Sequence, residues 1–148
     1  MTNETMMRRA IELAESAAAL DEVPVGAVVH LDGEIVGEGF NRREIDHDPL
    51  AHAEMLAIAD AATRLGRWRL HDCSIVVTLE PCPMCAGAIV NARLDEVVFG
   101  ARDAKSGASR SLYEITDDPR LNHRCEVVEG VLEDECVALL QDFFKAKR

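Results

Sequence analysis

Two short motifs, His52-Ala53-Glu54 and Pro81-Cys82-Pro83-Met84-Cys85, carry the side chains with the most chemistry in them. One imidazole and two thiols form a donor set for zinc, and three protein ligands leave a fourth position open for water. A neutral His and two thiolates cancel the double charge of the ion, which can still acidify a bound water. Glu54 stands too near His52 in sequence to be an obvious further ligand, so its carboxylate is available to move protons.

Neither motif is specific alone. A Cys-x-x-Cys between a strand and a helix is also where a thioredoxin-like redox pair would sit, and a zinc ribbon would need a second Cys pair, which is missing. His-x-Glu is weaker still, because a surface His near a Glu is commonplace. The conjunction is sharper: each motif opens a predicted helix, one strand separates them, and a Pro precedes the first Cys.

The elements that must position these residues follow from periodicity. Met7, Ala10, Ile11, Ala14, Ala17 and Ala18 recur at helical spacing and predict an opening amphipathic helix. Apolar segments 26–31 and 34–40 flank Asp32-Gly33, a hairpin turn signal. A polar stretch, 41–49, leads to a helix over about 52–65 that Gly66 closes. Segment 74–79 reads as a buried strand, 82–92 as a helix with Pro83 in its first turn, and 96–100 as a fourth strand. Segment 102–124 is polar and long for a connection, which marks it as a candidate functional loop. A fifth strand at 125–129 precedes a closing helix whose apolar stripe is Leu132, Cys136, Leu139, Leu140 and Phe143. Alternating strands and helices predict one α/β domain over 1–148, three layers deep, with a hairpin at one sheet edge.

This frame sets both motifs at helix N-termini, where exposed N–H groups and the helix dipole favour thiolates at Cys82 and Cys85. It also creates a tension. His52 and Glu54 would point roughly 200° apart in a regular helix, so both can face one ion only if His52 stands at or before the first turn. Asp48-Pro49 just upstream favours such a start.

The chain has 148 residues, 48% hydrophobic and 29% charged, as an ordinary globular domain does. No apolar run approaches the ~20 residues of a membrane span, and the N-terminus has no signal-peptide core, so a cytoplasmic protein is expected. Five cysteines is an odd number, and Cys73, Cys125 and Cys136 read as small buried hydrophobes rather than disulfide partners. The formal charge of −11 is opposite to that of most nucleic-acid binders. Basic groups nevertheless cluster at Arg42-Arg43, at Arg102, Lys105 and Arg110, and at Lys145, Lys147 and Arg148. Arg64, Arg67, Trp68 and Arg69 read as a helix end with the Trp folded inward, and Phe143-Phe144 as core and rim.

The His-x-Glu and Pro-Cys-x-x-Cys pair is the pattern of zinc nucleobase deaminases. Beyond it, Gly39-Phe40-Asn41-Arg42, Thr78-Leu79-Glu80-Pro81-Cys82, the run from Phe99 to Ala108, Asn122-His123-Arg124 and Gly130-Val131-Leu132 closely resemble the bacterial tRNA-specific adenosine deaminases of the cytidine deaminase superfamily. The likeness runs from Glu22 to Phe144. It implies a cytidine-deaminase-like α/β/α domain with a five-stranded mixed sheet, and a homodimer that converts the wobble adenosine of a tRNA anticodon loop to inosine. By position, His52, Cys82 and Cys85 would hold Zn2+ and Glu54 would shuttle protons. Asn41 would bind the flipped base. Ala53, Arg102, Asp103, Lys105, Asn122, His123 and Phe144 would complete the substrate contacts. Two features depart from the family pattern: the acidity, and Ser109-Arg110-Ser111 in place of a smaller, glycine-containing turn.

Three other readings use the same residues. A free-base deaminase acting on guanine or cytosine would share the chemistry, and the acidic charge favours it. A non-catalytic RNA-binding subunit would be expected to lack Glu54. A redox protein would use Cys82 and Cys85 without zinc.

Overall fold

The computed structural model of the chain describes residues 2–147. Strands β1 (Gly26–Leu31), β2 (Glu34–Phe40), β3 (Cys73–Leu79), β4 (Glu96–Ala101) and β5 (Glu126–Glu129) form one sheet in the order β2-β1-β3-β4-β5. β1 is antiparallel to β2 and β3, whereas β3 to β4 and β4 to β5 are parallel, so the sheet is mixed as expected. The β1–β2 turn has Asp32 at φ 51° and Gly33 at φ 82°, two positive values in succession, as a tight hairpin with right-handed strand twist requires.

Helices α1 (Asn3–Ala19) and α4 (Glu133–Ala146) cover one face, and α2 (Ala53–Leu65) and α3 (Pro83–Asn91) cover the other. The two-residue period of the strands sorts the core between them. Val28, Val76 and Val98 turn toward Met6, Met7, Ala10, Leu13 and Cys136. Their neighbours Ala27, Val29, Ile75, Val77, Val97 and Phe99 turn toward Ala53, Ala57, Ala61 and Ile89. Being buried on both faces explains why β1, β3 and β4 read as continuous apolar runs instead of alternating ones.

α1 begins before the first residue of its apolar stripe because Thr2 caps it, the Thr2 hydroxyl accepting from the Thr5 N–H at 3.2 Å. α2 lies very close to β2. A Cβ at Gly39 would stand 2.5 Å from the Ala53 carbonyl oxygen, so only glycine lets the start of α2 reach this depth. Cys73, Cys125 and Cys136 are buried free thiols, as the sequence suggested. Trp68 departs from expectation: it is 61% exposed under the Arg69 guanidinium, which lies 5.1 Å from the ring centroid. Leu70, fully buried, takes the core position instead. Among the described residues no helix is long and apolar enough to cross a membrane.

Candidate active site

The functional residues gather at one end of the sheet. The N-terminal end of β1 and the C-terminal ends of β2, β3 and β4 meet there, as the pairings Gly26–Phe40, Ala27–Val77 and Leu79–Ala101 require. A cavity of about 140 Å³ opens among them, lined by Val23, Val25, Asn41, Arg43, His52, Ala53, Glu54, Leu79, Glu80, Cys82, Asp103 and Ser106.

His52 is the N-cap of α2 with extended backbone, φ −78° and ψ 153°. That conformation resolves the tension between His52 and Glu54: His52 precedes the helical turn while Glu54 lies within it. Cys82 is likewise the extended N-cap of α3, φ −74° and ψ 173°, and Cys85 follows one turn later, with Pro83 at the start of the helix. His52 Nδ1 stands 3.6 Å from Cys82 Sγ and 3.5 Å from Cys85 Sγ, and all three donors lie within 4.8 Å of one another. A tetrahedral zinc with bonds of ~2.05 Å to nitrogen and ~2.3 Å to sulfur holds those donors about 3.6 Å apart. The residues therefore fit a zinc ion.

The electrostatics agree with that fit. The Cys82 thiol falls to about 4, chiefly through the hydrogen bond from Cys85, with His52 adding to the effect against burial. Cys85 moves the other way, because it is the donor to Cys82 and is itself buried. Without a cation, the charge on one sulfur disfavours ionising the other. A divalent cation between them is what allows both to ionise. Hydrogen bonding to Cys82 raises His52 above the usual imidazole value, against burial. Burial pushes the Glu54 carboxyl up to about 7; the Cys82 charge adds to this, while its own backbone N–H, His52 and a Cys85 hydrogen bond oppose it.

Two further buried carboxylates hold the walls, and sequence reasoning passed over both. Glu22, 1% exposed, accepts from the Glu44 and Ile45 N–H groups at 3.2 and 2.8 Å. Glu80 accepts from the N–H groups of Asp103, Ser109, Arg110 and Ser111 and from the Ser111 hydroxyl. Burial raises the Glu80 carboxyl, but the Ser111 hydroxyl and the backbone donors outweigh it and leave the group below the ordinary range. Asn41 is positioned between the walls, its Nδ2 donating to the Val23 carbonyl at 3.2 Å and its Oδ1 accepting from Arg43 N at 3.1 Å.

Of the expected substrate residues, Asn41, Ala53 and Asp103 line the cavity. Arg102 and Lys105 flank Asp103 in the same loop; the Arg102 guanidinium is held by Glu129 at 3.0 and 2.8 Å. Phe144 is 47% exposed near the end of α4, which the Lys147–Asp21 ion pair ties beside the turn carrying Glu22. His123 is not brought to the cavity. Its Nε2 and the Cys125 thiol both meet the Leu94 carbonyl, just before β4 and so at the opposite end of the sheet. Asn122, next to it and exposed, stays with it.

Fold and donor set together are those of a cytidine-deaminase-like hydrolase. The chain matches the MafB19-like deaminase family over residues 1–148. It is 49% identical over 146 residues to the tRNA-specific adenosine deaminase of Bacillus subtilis, spanning 99% of this chain and 91% of that one. To its namesake in Haemophilus influenzae it is 48% identical over 147 residues, spanning 99% and 85% of the two chains. A solved structure of a tRNA:A34 deaminase, described for A-to-I editing at the wobble position, superposes with a TM-score of 0.88 at 40% identity, over 92% of this chain and 99% of that one. A guanine deaminase from Nitrosomonas europaea gives 0.78 at 28% identity, over 95% and 83%. The chain belongs to the MafB19-like deaminases and, within them, to the family of tRNA-specific adenosine deaminases.

Proposed function

We propose that the protein hydrolyses adenosine to inosine and ammonia at the wobble position of a tRNA anticodon. The observation that carries this reading is 49% identity over 99% of the chain to a tRNA-specific adenosine deaminase; among solved structures a tRNA:A34 deaminase is 40% identical, against 35% and 28% for two guanine deaminases. His52, Cys82 and Cys85 would hold zinc through Nδ1 and two Sγ atoms. When bound, zinc supplies the Lewis acidity that makes water a nucleophile near neutral pH.

The chain's own groups do the rest. Glu54 accepts a proton from the attacking water and delivers it to ring N1 as C6 becomes tetrahedral. It then takes the proton of the new C6 hydroxyl and passes it to the amine, which leaves as ammonia as the C6 carbonyl forms. A carboxyl held near 7 by burial suits a group that must act as base and then as acid. Asn41 orients the base, Ala53 forms part of the pocket floor, and Asp103 and Lys105 belong to the loop that meets the anticodon, with Arg102 and Phe144 at its margin. Adenine must leave its stack to enter, which a single-stranded loop makes less costly.

We assign all of residues 1–148 to one catalytic domain, working as a homodimer in the cytoplasm. The free buried thiols support a reducing compartment. Leu112 and Tyr113, 52% and 55% exposed on the loop behind Glu80, support an apolar interface. Incubating bulk tRNA with the zinc-loaded protein, beside a panel of free bases, tests the substrate. Inosine in the digested tRNA is the expected result. Ammonia from guanine or cytosine alone would overturn it in favour of the free-base reading. Turnover under subsaturating tRNA should also fall as salt rises, despite the net charge of −11.

A further inference from the structure

Glu80 lines the cavity yet takes no part in the proton transfers above. Its Oε1 accepts from Asp103 N at 3.0 Å and from the Ser111 hydroxyl. Its Oε2 accepts from the N–H groups of Ser109, Arg110 and Ser111 at 3.1, 2.7 and 2.8 Å. Those donors take up the roughly four lone-pair sites a carboxylate offers, so nothing remains to receive a proton from substrate. Every donor comes from one loop. Gly107 packs directly on the carboxylate, where a Cβ would overlap Glu80 Cδ, and Ala108 N–H donates to the Pro81 carbonyl at 2.8 Å. The same loop presents Asp103 and Ser106 to the cavity, locked together by the Ser106 hydroxyl on Asp103 Oδ2 at 2.9 Å. Glu80 is thus bonded to the substrate-facing wall at one end and, two residues on, followed by Cys82 at the metal end.

We propose that Glu80 is a positioning residue for substrate: by gathering the backbone of the 103–111 loop onto one carboxylate, it fixes Asp103 and Ser106 relative to the three metal donors. This rests on the deaminase reading but not on which adenine- or guanine-containing substrate is used. The reason for a carboxylate at this position is geometric. Three converging N–H groups on a single oxygen need an acceptor without hydrogens. A glutamine amide set there would turn an N–H toward another N–H, or surrender one side of the cluster. A shift of about 1 Å in a wall that orients the reacting ring can cost on the order of a hundredfold in rate.

The test is a double-mutant cycle on the zinc-loaded enzyme, using whichever substrate the wild-type protein deaminates. Glu80→Gln should raise KM several-fold and lower kcat/KM by about a hundredfold, while one zinc per chain is retained. Ser111→Ala, which removes a single hydroxyl donor from a half-buried site, should give a smaller effect of the same kind and serves if Glu80→Gln does not fold. Asp103→Ala should then add little to Glu80→Gln, because the wall it belongs to is already displaced. Fully additive losses, an unchanged KM, or activity falling in proportion to zinc would each overturn the positioning role. An inactive wild type on tRNA with activity on a free base would instead overturn the substrate reading and leave this cycle to be run on that base.

Discussion

Glu54 follows a metal-donor residue by two positions and Glu80 precedes one by two, and both are shielded from solvent, at 4% and 2% exposure, although Glu54 lies deeper within the protein. Their protonation nevertheless goes in opposite directions. Glu54 is carried up to about 7 because burial dominates and few donors compensate. Glu80 is carried down because backbone N–H groups and a hydroxyl more than offset its burial. The depth of burial and the number of donors aimed at a carboxylate together decide what it is for. The poorly bonded group is left able to exchange a proton, and the fully bonded group becomes a fixture.

The contrast breaks first at the metal donors. Cys82→Ser should have the largest effect of any single change, loss of bound zinc together with activity and a marked drop in Tm, since metal binding is coupled to folding. Metal analysis and thermal melts on the same preparation check this. Glu54→Ala should instead keep its zinc and its Tm while turnover falls by about 10²–10⁴-fold, the usual worth of a positioned general acid–base. A Glu54→Ala protein retaining substantial activity would remove the distinction between the two carboxylates.

Much of this site was legible in the chain, and the remainder was not for a physical reason. His52, Glu54, Cys82 and Cys85 announce themselves because side-chain chemistry is written in residue type, and the strand-then-helix pattern on either side told which helix ends would carry them. Even the non-helical start at His52 followed from a conflict of angles. Glu22 and Glu80 were invisible because their partners are backbone N–H groups, and every residue but proline carries one. The available signal was an acidic residue joined to an apolar strand end with a glycine-bearing polar loop to follow. Trp68 was misplaced for a related reason: which member of a cluster turns inward depends on packing that local sequence does not specify, and here Leu70 takes the buried position.

A middle-sized effect sharpens the role of donors. Glu22 holds two N–H groups where Glu80 holds four and a hydroxyl. Glu22→Gln can keep one good acceptor, so it should cost about 1–3 kcal/mol of stability by denaturant titration, with a smaller rise in KM than Glu80→Gln produces. An equal or larger rise would mean that the 44–45 segment, not the 103–111 loop, is the wall that orients substrate.

The smallest effect tests the premise away from the metal. His30 lies toward the far end of β1, and its Nε2 is buried with no hydrogen-bond partner among the described residues. Burial lowers its affinity for a proton below the ordinary imidazole value. The unfolded chain then binds the proton more readily than the fold does. The resulting penalty is absent well above the unfolded value of ~6.5 and grows as pH falls through it, levelling off below the lowered folded value. Stability should thus decline between about pH 7.5 and 5 by an amount that His30→Gln abolishes. Urea midpoints of the two proteins measure it. Parallel curves over that range would mean that water or local motion relieves the buried ring, and that burial without donors is a weaker force in this fold than the carboxylate at Glu54 implies.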